Sequence, residues 1–261
     1  MATYGNVPDT STTQGKTGYA SVNDLDMYYE VQGTGEPLLL LHGQFASTGM
    51  FSKIVPALAQ SRRVVAVDQQ GHGRTADIDR PLRFAQTADD TAALLRQIGI
   101  DACDVYGYST GGWVALQLAV RHPAMVRKLA VSSTAYDIDG YLPQIRQGLR
   151  NPDPDAFPAI VRESYERVAP NPGGWRTLVA KAGEQAGAER GLTAAQLSSI
   201  AAPALVMAAE NDVIRPEHSR ELARLLRTQL VIIPNSDHSS YVVGDTAVLL
   251  SNLRTFFNGP E

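Results

Sequence analysis

The sequence predicts an α/β fold: a parallel sheet with helices on both faces. Three observations carry that prediction. Strand-like and helical segments alternate along most of the chain. A single helical stretch interrupts the alternation once. One strand ends in a Gly-x-Ser-x-Gly turn from which a helix starts at once. With 261 residues, 44% of them hydrophobic, the chain can bury a sizeable core.

The elements follow in order. Residues 1–16 are polar, rich in Thr, Ser and Gly, and read as a loose arm. Two strands, 19–22 and 27–31, are joined around Asn23-Asp24. After the loop 33–37 comes the unbroken apolar run 38–41, suited to a strand covered on both faces. It stops at His42-Gly43-Gln44-Phe45. A helix is expected next, with Ser47 or Thr48 near its cap and Ile54, Leu58 and Ala59 inward. Strand 63–67 ends at Asp68, and Gln69 to Arg74 turns sharply on two glycines. Ala88, Ala92, Leu95 and Ile98 recur at helical spacing over 85–98, and Gly99 stops that helix. A strand then runs into Ser109, a helix follows to about residue 121, and 128–132 is the next strand.

Between 136 and 201 the alternation breaks. Helical patches over 142–149, 157–168 and 175–185 are separated by Pro-rich loops, which reads as a small cap over the strand ends. Strand 204–208, helix 216–226, strand 230–233 and helix 246–257 then resume the pattern. The expected division is an arm (1–16), a core (17–135 with 202–261) and a helical cap (136–201).

Composition excludes several functions. A net charge of −4 without a dense basic run argues against a nucleic-acid partner. The single cysteine, Cys103, precludes an internal disulfide and a Cys-rich zinc site. No apolar run reaches the roughly 20 residues that span a bilayer, and no secretory leader is evident, so a cytoplasmic location is expected. Gly107 to Gly112 lacks both the three-glycine dinucleotide spacing and a phosphate-loop Lys-Ser/Thr. No histidine–carboxylate set has metal-ligand spacing.

The chemistry should reside at the turn Gly107-Tyr108-Ser109-Thr110-Gly111. This matches a nucleophile elbow, in which larger flanking side chains would collide and the serine is held in an unfavourable conformation. A serine hydroxyl needs a base to take its proton and a third group to orient that base. Of five histidines, His42 and His72 precede the serine in glycine turns. His122 ends a helix, and His218 is expected to pack at a surface helix. His238 remains, in a polar loop after the last predicted strand, where such sheets place ligand chemistry. The acid should come from a loop on the same sheet edge. Asp212 is the best placed, Asp137 is its rival, and Glu210 and Asp237 are less favoured. Two amides are needed for an oxyanion. Thr110 follows the nucleophile, and Gln44 follows the flexible Gly43.

Together Gly107 to Gly112, the His42-Gly43 loop, Asp68 with Gly71-His72-Gly73-Arg74, Asp212 and His238 resemble the α/β-hydrolase family. The likeness covers the chain from about Tyr19 onward. It implies an eight-stranded, mostly parallel sheet, a cap, and a Ser-His-Asp triad needing no cofactor. It also implies that Gly71-His72-Gly73 is architectural. Two positions depart from the pattern: Tyr108 stands where many members carry histidine, and Asp237 where glycine often precedes the catalytic histidine. Serine at the elbow, rather than aspartate, argues against dehalogenase and epoxide hydrolase chemistry.

The expected substrate walls are Phe45, Met50, Tyr136, Tyr141, Leu142, Trp175, Val213 and Tyr241, an apolar and aromatic set suited to a small to medium, largely uncharged ester or lactone. The expected reaction is ester or lactone cleavage through an acyl-enzyme. The alternatives are carbon–carbon bond hydrolysis, cofactor-free oxygenase or perhydrolase chemistry on the same scaffold, and a slowly hydrolysing ligand receptor.

Overall fold

The computed structural model describes residues 15–259. Its frame is an eight-stranded sheet of β1 (Lys16–Val22), β2 (Leu25–Gln32), β3 (Glu36–Leu41), β4 (Arg62–Val67), β5 (Cys103–Tyr108), β6 (Val126–Ser132), β7 (Ala204–Asn211) and β8 (Leu230–Asp237), in the order β1-β2-β4-β3-β5-β6-β7-β8. Strands β3 to β8 run parallel, whereas β2 is antiparallel to both β1 and β4.

Burial on both faces explains the apolar runs. In β3, Leu39 and Leu41 enter one core cluster while Leu38 and Leu40 enter the other, and all four are fully buried. Each such side chain stabilises the fold by about 1.5–3 kcal/mol. The first cluster lies under α2 (Phe84–Gln97) and α3 (Thr110–Arg121), with α8 (Pro216–Leu225) beside them. The second lies under α1 (Val55–Leu58), α9 (Ser240–Val243) and α10 (Ala247–Asn258).

Between β6 and β7 the chain forms a helical insert of α4 (Pro143–Arg150), α5 (Ala159–Val168), α6 (Trp175–Ala188) and α7 (Ala194–Ser198). A small apolar cluster, Leu82, Val161, Tyr165, Trp175, Leu178 and Val179, joins it to the loop before α2. The chain entering the insert and the segment just before α7 meet at Tyr136. The Leu192 amide donates to the Tyr136 carbonyl at 2.8 Å, and the Tyr136 amide donates to Nε2 of His218 at 3.1 Å. Gly191 sits there with φ +71, where a Cβ would overlap the Tyr136 carbonyl.

Three differences from the sequence reading have physical causes. The arm expected through residue 16 lies outside the described residues as far as residue 14, and β1 already begins at Lys16. The helix expected after Phe45 is split into a 3₁₀ turn, Thr48–Phe51, and α1. The cause is Pro56, which has no N–H to donate and therefore sits in the first turn of a new helix. Strand β8 continues past residue 233 through Pro234 to Asp237. An edge strand tolerates a proline that an inner one would reject. Among the described residues no helix is long and apolar enough to cross a membrane.

Candidate active site

The parallel register brings the functional residues together. Tyr108 of β5 pairs with Ser132 of β6, so Ser109 follows directly beside Ser133. A register shift after Ala209 pairs Asn211 of β7 with Asp237 of β8, so Asp212 and His238 emerge side by side. Main-chain pairing thus delivers three side chains from distant parts of the sequence to one edge.

Ser109 has φ 53 and ψ −121, outside the regions a serine ordinarily occupies, at a cost of about 1–3 kcal/mol. Packing enforces this. A Cβ on Gly107 would overlap the Gly111 carbonyl, and one on Gly111 would overlap that of Leu41. The Ser109 amide donates to the Ser132 carbonyl at 2.9 Å, and Thr134 Oγ1 donates to the Ser109 carbonyl at 2.7 Å. The bend is therefore held from both sides.

Ser109 Oγ lies 3.0 Å from His238 Nε2, and His238 Nδ1 lies 2.7 Å from Asp212 Oδ1. A carboxylate only accepts, so the imidazole proton sits on Nδ1 and the Nε2 lone pair faces the serine hydroxyl. Asp212 accepts four further hydrogen bonds. Ser133 Oγ (2.5 Å) and the Ala209 amide (3.1 Å) donate to Oδ2, and the Val213 (2.7 Å) and Ile214 (3.3 Å) amides donate to Oδ1. Burial pushes this carboxyl up, but the His238 and Ser133 hydrogen bonds outweigh it and hold Asp212 below the usual range. The side chain stays ionised although it is only 4% exposed.

The competing acids are engaged elsewhere. Asp137 accepts from the Asp139 amide at 2.8 Å, and Glu210 from the Asn235 amide at 2.8 Å. Asp237 accepts from the Ser239 and Ser240 amides at 3.0 and 2.9 Å, which opens α9. The two departures from the family pattern therefore have structural work. Asp237 shapes the loop, and the Tyr108 hydroxyl donates to the His238 carbonyl at 2.7 Å.

Thr110 follows the serine, and the Gly43 turn that precedes Gln44 packs against it. Gly43 packs so closely that a Cβ would come within 2.9 Å of Tyr108 and 3.2 Å of the Ser109 Cβ. Thr110 is the first residue of α3, whose N-terminus carries no side-chain cap, so the amides there point outward with the positive end of the helix. Beneath this loop His42 is fully buried, with Nε2 accepting from the Gln69 amide at 3.1 Å and Nδ1 facing the Gly43 carbonyl at 2.8 Å. Burial lowers its pKa to about 3, and that of His72 to about 4. Both stay neutral supports of the loops. His218, expected to pack at a surface helix, is buried on the inner side of α8; desolvation lowers it to about 4, and its ring stacks on Tyr136 at 4.0 Å.

The expected walls divide. Phe45, with φ 61, meets Phe157 and Trp175 of the insert at ring distances of 4.8 and 5.3 Å. Trp175 Nε1 also donates to the Pro154 carbonyl. Tyr136 and Val213 are half-buried against the first core cluster, and the Leu142 amide donates to the Val213 carbonyl at 2.9 Å. Tyr141 is buried in that same cluster. Met50 and Tyr241 require correction. They belong to the core on the opposite face of the sheet, and the Tyr241 hydroxyl is engaged with Ser132 and Ser133. Met50 lies in the 3₁₀ turn and Tyr241 in α9, and both elements turn these side chains into that core.

Sequence reasoning missed Ser133, Thr134 and Phe157. The polar run Ser132-Ser133-Thr134 directly after a buried strand was a usable signal for the first two. Phe157 gave none, because the docking of the insert is not encoded locally. Among the described residues no group of three or more His, Cys, Asp or Glu is gathered as metal ligands.

Comparison with known proteins identifies the family. The family model described as "Alpha/beta hydrolase family" matches residues 38–249. A pimeloyl-[acyl-carrier protein] methyl ester esterase of Neisseria meningitidis is 44% identical over 95 residues, which is 36% of this chain and 35% of the esterase. The 2-hydroxymuconate semialdehyde hydrolase of Pseudomonas sp. (strain CF600) is 35% identical over 107 residues, 40% of this chain and 38% of that one. The chain spans less than half the length of the first curated relatives that it matches. Among solved structures, Est816, described as an N-acyl homoserine lactone degrading enzyme, superposes with a TM-score of 0.74 at 25% identity, over 92% of this chain and all of that one.

Proposed function

The chain belongs to the alpha/beta hydrolase family, and from that premise we propose that it is a serine hydrolase cleaving carboxylic esters or lactones through an acyl-enzyme. The observation that carries this reading is the unbroken series Ser109 Oγ, His238 imidazole, Asp212 carboxylate at 3.0 and 2.7 Å.

In this mechanism His238 Nε2 takes the Ser109 proton as Oγ attacks the substrate carbonyl carbon. The carbonyl π electrons move to oxygen, and the Gln44 and Thr110 amides stabilise that oxyanion, each contributing about 2.7–4 kcal/mol. Asp212 holds the imidazole tautomer and stabilises the imidazolium without taking its proton. The imidazolium then protonates the departing alkoxide. Water, deprotonated by His238, attacks the acyl-enzyme and frees Ser109. No cofactor enters the sequence.

The insert acts as a cap in this reading. Phe45, Phe157 and Trp175 form the aromatic seam between cap and nucleophile edge, which favours small to medium substrates with a largely apolar acyl part. The esterase and lactone-degrading relatives support the same bond classes.

Hydrolysis of p-nitrophenyl acetate by wild type, S109A and H238A tests the assignment. Both variants should lose about 10⁴-fold or more in kcat/KM; retained turnover in either would refute it. The likeness to a semialdehyde hydrolase makes carbon–carbon hydrolysis the second reading. A panel that turns over vinylogous diketones but no ester would select it.

A further inference from the structure

Behind Asp212 lies a chain of buried hydroxyls that the proposed mechanism does not use. Ser133 Oγ is 2.5 Å from Asp212 Oδ2. The Tyr241 hydroxyl lies 2.7 Å from Ser133 Oγ and 2.9 Å from Ser132 Oγ, and the Tyr106 hydroxyl lies 2.8 Å from Ser132 Oγ. Tyr106, Tyr241, Ser132 and Ser133 are all essentially excluded from solvent.

From this geometry we infer that Ser133 is a positioning residue for the catalytic acid, and that the buried Tyr241 hydroxyl, donating to Ser133 Oγ, completes a one-way donor relay that fixes its proton. The inference rests on the triad reading above. Each hydroxyl has one proton to give. An ionised Asp212 can only accept, so Ser133 donates to it. Ser133 must then accept from Tyr241, whose single proton is aimed at both Ser133 Oγ and Ser132 Oγ. Ser132 and Tyr106 pair beside this series. The direction of the two links from Tyr241 through Ser133 is set by the carboxylate at the end, so this series aligns its dipoles toward Asp212.

Two observations support a role beyond packing. Ser133 has φ 47, a left-handed conformation costing about 1–3 kcal/mol in a non-glycine residue. Glycine would meet that backbone requirement better, but it could not supply the hydroxyl. The same strand end also holds the nucleophile through the Ser132 carbonyl and Thr134 Oγ1. One short segment therefore sets both ends of the triad. Fixing Oδ2 leaves Oδ1 facing Nδ1, which is the orientation the imidazolium needs.

The test is the rate of covalent labelling of Ser109 by a fluorophosphonate, read by intact mass and resolved into kinact and KI for wild type, S133G, S133A, Y241F and S133G/Y241F. S133G should lower kinact about tenfold with KI within twofold and thermal stability equal to or above wild type. S133A should match it in kinact. Y241F should lower kinact about threefold, and the double variant should equal S133G, because a relay in series loses nothing more once its last link is gone. Unchanged kinact in S133G, or multiplicative effects in the double variant, would overturn the relay alone. A wild type not labelled at Ser109 would overturn the hydrolase reading and the relay with it.

Discussion

The carboxyl edge of the sheet and the helical insert are built by different means. At the edge, main-chain pairing sets positions: Tyr108 opposite Ser132, and Asn211 opposite Asp237. The insert is attached chiefly by side chains. Phe45, Phe157 and Trp175 form one seam. Lys181 Nζ donates to Asp77 Oδ2, the Ile78 carbonyl and the Arg80 carbonyl at 2.6–3.0 Å, and Glu189 accepts the Phe84 amide. Helix α4 has no fully buried residue, only Ile145 and Leu149 packed half-buried against the first core cluster. The edge is thus placed by main-chain pairing and completed by glycines and hydroxyls at a few positions, while the cover is held mainly by side-chain contacts that single substitutions can change. Changes at the edge should alter the chemical step, and changes in the insert should alter which substrate enters.

The largest expected effect is the 10⁴-fold or greater loss in S109A and H238A, with folding intact by circular dichroism. Next, W175A should remove about 3–5 kcal/mol of packing from the insert, raise KM about tenfold or more, and leave fluorophosphonate labelling of Ser109 within threefold. If labelling collapses along with KM, the two regions are not separable and the comparison fails.

Acid provides a third probe, because the insert between β6 and β7 contains no histidine. His42, His72 and His218 are neutral when folded, with pKa values of about 3, 4 and 4. Between pH 4 and 6 the unfolded chain therefore binds three protons that the folded chain does not. Asp68, raised to about 6 by burial, binds one proton only when folded and offsets one of these. Stability should rise with pH at a slope near two protons, ~3 kcal/mol per pH unit. Denaturant midpoints from pH 4 to 6 measure it, and H72N should reduce the slope by one proton. The smallest effect is K181A, which removes a half-buried ion pair. It should cost less than about 1 kcal/mol and change kcat by less than twofold in the same ester assay.

How far the sequence revealed this molecule follows the same division. The elbow was legible because Gly107 and Gly111 occupy positions where a Cβ would strike a carbonyl, a constraint that only residue identity can satisfy. His238 was reached by elimination and Asp212 by its place after a strand. Ser133 was not, because its role depends on a register that no local pattern states. Met50 and Tyr241 were read as walls since an aromatic or thioether near a site loop looks alike on either face. The end of β8 was hidden by Pro234 and the polar residues after it, which an edge strand tolerates. The insert's helices were recognisable by period, but not the pairing of Phe157 with Phe45.

Tyr136 receives the amide of Leu192 on its carbonyl and gives its own amide to His218. Outgoing and returning polypeptide consequently pass within one peptide unit of each other, like the two leads of a plug. Whatever is wired between them can be exchanged for a segment of another length or shape without unthreading the strands on either side. A scaffold so arranged can trade one selectivity for another by swapping a cassette while its reactive edge stays in place.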